Sequence, residues 1–419
     1  MTLLGLFPPG TATAQDGGLT ISGCHVEDLA TRHGTPALII DEGALRVRAR
    51  RYADGLAARW PNSRVCFASK AFPCLAVYRI LSEEGLGFDV AGGGELTMAL
   101  AGGADPAGLV VHGNAKTDAE LRMAVEAAAG LIVIDSFDDI DRLERILAET
   151  PGRNQGVLVR VTPDIRPDTH EAVSTGQAGS KFGLSPSQAR QAIARLRGSD
   201  RLRLDGMHVH VGSQILDTEP FIRAVEAVAG LGEFPVYDLG GGLGARYTYG
   251  DHPPSVEEYL DATVEAAAKV LPADAHIILE PGRSMVAETG VSLYRVVTVK
   301  RDGGETIVAV DGGMGDNLEV SLYGQRFEAT VATRVGGGEV CHLVGRHCES
   351  GDVLSTSVPL RDPAPGDLIA VPVTGAYTFS LSNNYNGALR PPVVFCRDGA
   401  SRAVVRRETY DDLMRRDTA

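Results

Sequence analysis

The chain has 419 residues, 44% hydrophobic and 22% charged, with a formal net charge of −14. That length buries at least one large core and allows two domains, and the composition is ordinary for a soluble globular protein. The acidic balance argues against nucleic acid or an anionic membrane as the main partner, and no apolar run approaches the roughly 20 residues of a membrane span.

The chain begins Met1-Thr-Leu-Leu-Gly-Leu-Phe-Pro-Pro, and Ala12-Thr-Ala14 mimics a cleavage site. There is no basic flank, and prolines cut the apolar run, so a signal peptide is not expected. Residues 1–24 are expected to be a loose leader. Residues 25–42 contain Thr35-Pro-Ala-Leu-Ile-Ile-Asp41, an apolar run expected to join a later β domain. The six cysteines, Cys24, Cys66, Cys74, Cys341, Cys348 and Cys396, form no C-x-x-C pair. They are too sparse for a disulfide framework and point to a reducing cytoplasm.

Residues 43–283 alternate apolar runs with Ala-rich helical stretches. The candidate strands are Val65–Ala68, Phe88–Ala91, Leu109–His112, Leu131–Asp135, Val157–Val161, Gly206–Val211, Val236–Leu239 and Ile277–Glu280. Such near-continuous apolar runs suit parallel strands buried on both faces. Helices such as Asp118–Ala129 and Val256–Val270 lie between them. The repetition predicts a (β/α)8 barrel, with an open doubly wound sheet as the alternative.

Residues 284–419 have another texture. Val291–Lys300, Thr306–Val310, Arg326–Arg334, Asp367–Pro372 and Pro392–Arg397 are short β-rich stretches between Gly, Pro and Asp turns. They predict a mainly antiparallel β domain.

Several strands end in groups that can carry chemistry. Cys66-Phe-Ala-Ser-Lys70 puts a lysine where a loop must begin, either as a surface charge or as an amine near a pocket. Asp89, Glu95, His112 and Asn114 also lie at or just beyond strand ends. In His208-Val-His210-Val-Gly-Ser213 the two histidines share a side of the strand. They could be a metal pair, but no third ligand cluster stands nearby in sequence, so no metal is expected. Alternatively, His210 packs on a flat cofactor and Ser213 reaches a phosphate. Asp238-Leu-Gly240-Gly241-Gly242-Leu-Gly244 can be a phosphate-binding nest, a weak dinucleotide fingerprint or a plain turn. Glu280-Pro-Gly-Arg283 is either a structural ion pair or a carboxylate for a pyridine nitrogen.

Taken together, Lys70, His-Val-Gly-Ser, Gly-Gly-Gly and Glu-Pro-Gly-Arg resemble the fold-type III decarboxylases that use pyridoxal 5'-phosphate, built on an alanine racemase-like barrel and β domain. Gly345-Arg-His-Cys348-Glu349-Ser-Gly-Asp352, Gly375-Ala-Tyr377 and Ser382-Asn-Asn-Tyr385-Asn386 are similar to the diaminopimelate decarboxylase branch. The resemblance runs from about residue 25 to the C-terminus. It implies that Lys70 carries the cofactor covalently, His210 stacks on its ring and Glu280 pairs with the ring nitrogen. Ser213, Gly240, Gly241, Gly242, Arg283 and Tyr377 would surround its phosphate and the adjoining pocket. It further implies a homodimer in which Tyr323, Cys348 and Glu349 enter from the partner subunit. Cys348 would return a proton after CO2 leaves. Glu349 would take the distal amino group of a small amino-acid substrate, and Arg283 and Tyr323 its distal carboxylate, with Tyr377 also at the substrate.

One position departs from the branch. The arginine expected four residues before the tyrosine is Glu319, at a place where a cation would help hold the distal carboxylate, and glutamate cannot mimic a bidentate arginine. Two enzyme readings follow. One is decarboxylation of meso-diaminopimelate to L-lysine. The other is a related decarboxylase of specialised metabolism acting on a different amino acid, D-configured or basic. A non-catalytic homologue would be expected to lack Lys70 or Cys348, and a racemase would need a tyrosine base in place of the Cys-Glu-Ser arrangement.

Overall fold

The computed structural model describes residues 4–150, 152–165 and 180–418. The chain divides into two compact units. One comprises Met1–Val47, Ala245–His252 and Val286–Ala419, and the other Arg48–Gly244 and Pro253–Met285.

The N-terminal segment forms β1 (Thr11–Thr13), β2 (Leu19–Ile21) and β3 (Cys24–His25), a small antiparallel sheet. Phe7, Leu19, Ile21 and Cys24 are buried in the same core as Val291, Ala370 and Val394. The expected loose leader is therefore an integral part of the β unit. Strands of two or three residues carry almost no periodicity, and their anchors are scattered between glycines and prolines. β4 (Ala37–Asp41) follows and is wholly buried.

Eight strands among the described residues make the barrel. They are β5 (Ser63–Ala68), β6 (Gly87–Val90), β7 (Leu109–Val111), β8 (Leu131–Ile134), β9 (Gln155–Val161), β10 (Leu202–Val209), β11 (Val236–Asp238) and β12 (His276–Leu279). All pairings are parallel and follow chain order, and β12 closes on β5 with Ile277 opposite Ser63. Every residue of β6 and β9 is buried, as strands sandwiched between an inner core and outer helices require. Cys66, Val110, Val133, Leu158 and Ile278 pack together in the core.

Capping boxes start several of the helices. Thr117 with Glu120 begins Asp118–Glu126, and Ser255 with Glu258 begins Val256–Val270. Each such cap is worth about 1 kcal/mol. The first helix stops three residues before the expected end at Ala129, and Ala128 takes a left-handed conformation (φ 56°).

The remaining strands are β13 (Gly290–Asp302), β14 (Glu305–Val310), β15 (Thr330–Val331), β16 (Glu339–Val344), β17 (Val353–Leu360), β18 (Leu368–Pro372), β19 (Val393–Arg397) and β20 (Ala400–Val405). The sheet order is β17-β16-β14-β13-β4-β19-β20, with β18 pairing β13 and β15. Most pairs are antiparallel, whereas β14–β16 and β4–β19 are parallel. β4 thus joins the β domain, as expected for Thr35–Asp41. The unit also takes Ala245–His252, a segment expected to belong to the barrel. No helix among the described residues is long and apolar enough to cross a membrane.

Candidate active site

The C-terminal ends of the barrel strands gather the charged groups on one rim, the usual place for chemistry in this architecture. Lys70 follows β5, and its Nζ lies 3.9 Å from Oδ2 of the buried Asp89 at the end of β6. His112, just past β7, approaches Asp89 Oδ1 at 3.7 Å and bonds Glu280 Oε1 through Nε2 at 2.6 Å. His208, on β10, reaches Glu280 Oε2 at 3.3 Å. The two imidazoles meet edge to face, 4.8 Å between centroids. Glu280 therefore sits between two rings, with each carboxylate oxygen engaged.

These contacts set the protonation states. Burial pushes the Glu280 carboxyl up, but the charge and hydrogen bonds of His112 and His208 outweigh it and hold it well below the usual range. Burial alone would lower His112, yet the Glu280 and Asp89 charges raise it. His208 is pushed down to about 3, chiefly by burial. Burial and the neighbouring Glu280 charge drive Asp238 well above the ordinary carboxyl value. In this cluster Glu280 is the carboxylate kept ionised.

The glycine turn stands next to it. Gly240 N–H donates to Asp238 Oδ1 at 2.9 Å, and Glu280 N–H donates to the Gly240 carbonyl at 2.7 Å. Gly240 has φ 67°, and a Cβ on Gly241 would overlap the Glu280 carbonyl. Only glycine allows this close approach of backbone to strand end. Gly241 N–H donates to His210 Nδ1 at 3.2 Å, which orients that ring. Arg283 Nε donates to Ser213 Oγ at 3.3 Å. Burial, then the positive charges of Lys70 and Arg160, lower the His210 pKa well below its usual value.

The other expected site residues belong to the β unit. Cys348 and Glu349 are exposed. The Cys348 amide donates to Asn386 Oδ1 at 2.8 Å, and Tyr385 Oη donates to Glu349 Oε2 at 3.4 Å. Tyr323 ends the short helix Glu319–Tyr323, which Ser321 ties to the Cys348 loop through the Gly351 carbonyl at 2.8 Å. Tyr377 is half-buried with φ 61°. Glu319 is fully buried and accepts a hydrogen bond from Tyr247 Oη at 3.4 Å.

Residues 43–287 match the model of the pyridoxal-dependent decarboxylase family's pyridoxal binding domain. Diaminopimelate decarboxylase of Actinosynnema pretiosum subsp. auranticum is 43% identical over 99% of this chain and 95% of its own length. The chain belongs to the pyridoxal-dependent decarboxylases. The Bacillus subtilis enzyme named diaminopimelate decarboxylase is 40% identical over 98% of both chains. Among solved structures, diaminopimelate decarboxylase from M. jannaschii in co-complex with L-lysine aligns with a TM-score of 0.91 at 30% identity, covering 98% of each chain. The barrel plus β domain is the fold these decarboxylases share.

The cofactor of the family, pyridoxal phosphate, fits the residues on this rim. Glu280 is held ionised, as a partner for a protonated pyridine nitrogen must be. The Gly240–Gly242 turn has no side chains to obstruct a phosphate, and an amine stands at Lys70. Asp89 and His112 lie at strand ends, but only the folded barrel brings them beside Lys70 and Glu280. His208 proves different from His210, because it turns onto Glu280 while His210 faces the glycine turn. His112, His208, Asp238 and Glu280 come within 4.8 Å of one another. They arrive from four separate strand ends, which is why sequence proximity did not reveal the cluster. In it both imidazoles are already bonded to Glu280, so it reads as support for one carboxylate.

Proposed function

We propose that the chain removes CO2 from meso-diaminopimelate to give L-lysine, using pyridoxal phosphate carried on Lys70. The observation behind this reading is the extent of the similarity. Relatives named diaminopimelate decarboxylase match 96–99% of the chain at 38–43% identity, spanning both units.

When bound, pyridoxal phosphate supplies an electron-withdrawing ring that stabilises the carbanion left by decarboxylation. Lys70 would bind it through its amine. Glu280, ionised by His112 and His208, would keep its ring nitrogen protonated, and His210 would pack on its ring. Ser213, the Gly240–Gly242 amides and Tyr377 would hold its phosphate. The Cys348 thiol delivers a proton to the substrate carbon after CO2 leaves. Glu349 takes the distal amino group, and Arg283 and Tyr323 hold the distal carboxylate. The protein works as a homodimer in the cytoplasm, with Tyr323, Cys348 and Glu349 completing the partner's site.

A second reading rests on Glu319, which puts a buried carboxylate where the branch carries an arginine. It is a related decarboxylase whose substrate has a basic distal group or none. CO2 release from meso-diaminopimelate, D- and L-lysine, and D- and L-ornithine separates the two. Release from meso-diaminopimelate with L-lysine as product is expected. Release from ornithine or lysine alone would overturn the first reading in favour of the second.

A further inference from the structure

The loop carrying Cys348 and Glu349 is exposed at its tip and tightly held behind it. Asp352 is 3% exposed, and its carboxylate is encircled by N–H groups. Oδ1 accepts from Met314 N–H at 2.6 Å. Oδ2 accepts from His347 N–H at 2.7 Å and from His347 Nδ1 at 2.8 Å. The Asp352 backbone adds a bond from Gly345 N–H to its carbonyl at 2.9 Å and one from its own N–H to Glu349 O at 3.0 Å. A Cβ on Gly313 or on Gly345 would overlap the carboxylate, so two backbone segments close directly over it. The His347 ring, oriented by Asp352, stacks on Tyr385 at 5.9 Å and 19°. Tyr385 in turn bonds Glu349, and the next residue, Asn386, holds the Cys348 amide.

A buried carboxylate persists only where its lone pairs are taken up. Here they are taken up by the two segments that set the height and direction of the Cys348–Glu349 tip. We propose that Asp352 is the positioning residue for Cys348 and Glu349. It fixes the loop base to the Met314 turn and, through His347, to Tyr385, so that thiol and carboxylate are presented together. This rests on the reading of Cys348 as the proton donor, but the loop's order can be measured without any substrate.

All six cysteines lie among the described residues, and Cys348 alone is exposed. The other five are buried, so alkylation of the folded holoenzyme by iodoacetamide reports on Cys348 in the place it takes in the dimer, with Cys348→Ser as the blank. Asp352→Asn keeps the shape and one acceptor, but sets an NH2 group against an N–H donor in either amide orientation, Met314 on one side or His347 on the other. The labelling rate is expected to rise roughly threefold or more as the loop loosens. In the same variant kcat/KM is expected to fall about tenfold or more, with pyridoxal phosphate absorbance retained. An unchanged labelling rate overturns the proposal, whether or not activity falls. If Asp352→Asn does not fold, His347→Phe removes the ring bond and keeps the backbone ones. Faster labelling of that variant supports the proposal, and wild-type labelling overturns it. A wild type inert on meso-diaminopimelate would refute the proposed substrate while leaving the labelling result intact.

Discussion

The barrel rim and the Cys348 loop solve opposite problems. At the rim the carboxylate proposed to meet the ring nitrogen, Glu280, is buried and its charge is set by two histidines that bond it. In the loop the groups proposed to act, Cys348 and Glu349, are exposed, while the pair Asp352 and His347 is buried behind them. A group that must hold one protonation state gains from low dielectric and fixed partners. A group that must reach a substrate gains from an exposed tip on a rigid base. The rim should therefore be sensitive to changes of charge, and the loop to changes of geometry.

The largest effect is expected at Lys70. Lys70→Ala should lower kcat/KM by about three orders of magnitude or more. Borohydride reduction of the wild type followed by peptide mapping should label Lys70. Label on Lys116, which is buried against Asp139, would remove the rim from the mechanism. Glu280→Gln comes next, because it keeps the shape and deletes the charge. A loss of roughly 10²–10³ in kcat is expected, in the range of removing one preorganised electrostatic partner. A loss under threefold would mean that the rim does not act through charge.

The loop is expected to be less demanding. Cys348→Ala should cost roughly 10²-fold in kcat, the scale of one positioned acid. Mixing Lys70→Ala with the impaired Cys348→Ala should raise the activity above the sum of the two separate variants, through heterodimers. No recovery despite proven subunit exchange would mean that each site is built within one chain, and the contrast between rim and loop would become one within a single subunit.

The two regions were also unequally legible in the sequence. The eight barrel strands announce themselves because each is a nearly unbroken apolar run, and Lys70, His210, Gly240 and Glu280 follow from where those runs end. The β unit was read less completely. β16, β17 and β20 are half-exposed, with polar residues interrupting their pattern, and β1–β3 are too short to show one. Contacts across the chain were out of reach altogether. His112 and Glu280 are 168 residues apart, and Tyr247 and Glu319 are 72 apart. Glu319 could be noticed as a departure, but Tyr247, which receives it, could not be foreseen.

Acid should unfold the barrel through His208. Its folded pKa is pushed down to about 3 from 6.5. Above pH 6.5 the ring is neutral in both states and contributes no pH dependence. Below 6.5 the unfolded chain binds a proton that the folded barrel refuses, so stability falls by about 1.4 kcal/mol per pH unit toward pH 3. Glu280 acts in the same direction at lower pH, since its depressed folded value gives stability that disappears as pH falls through it. His112 has the opposite sign, as its raised folded value adds stability below 6.5. Urea unfolding between pH 7 and pH 4 should therefore show a falling midpoint, and His208→Asn should flatten the slope. An unaltered slope in that variant would assign the acid lability elsewhere.

The smallest effect is expected at Glu319. Its carboxylate is fully buried and accepts the Tyr247 hydroxyl, and the Tyr247 ring packs edge-on against Phe327 at 5.1 Å. A group turned inward onto its own unit serves packing before it serves a substrate. Glu319→Gln keeps the acceptor for Tyr247 and removes the charge, so kcat/KM on meso-diaminopimelate should stay within about twofold of wild type. Arg283 and Tyr323 would then suffice for the distal carboxylate. A tenfold gain in the glutamine variant would instead reveal that Glu319 repels that carboxylate across a partly screened distance, since ten-fold corresponds to about 1.4 kcal/mol. Loss of activity on D-lysine in the same variant would complete that outcome. It would make Glu319 the selector for a basic substrate and move the β unit from geometric support into recognition by charge.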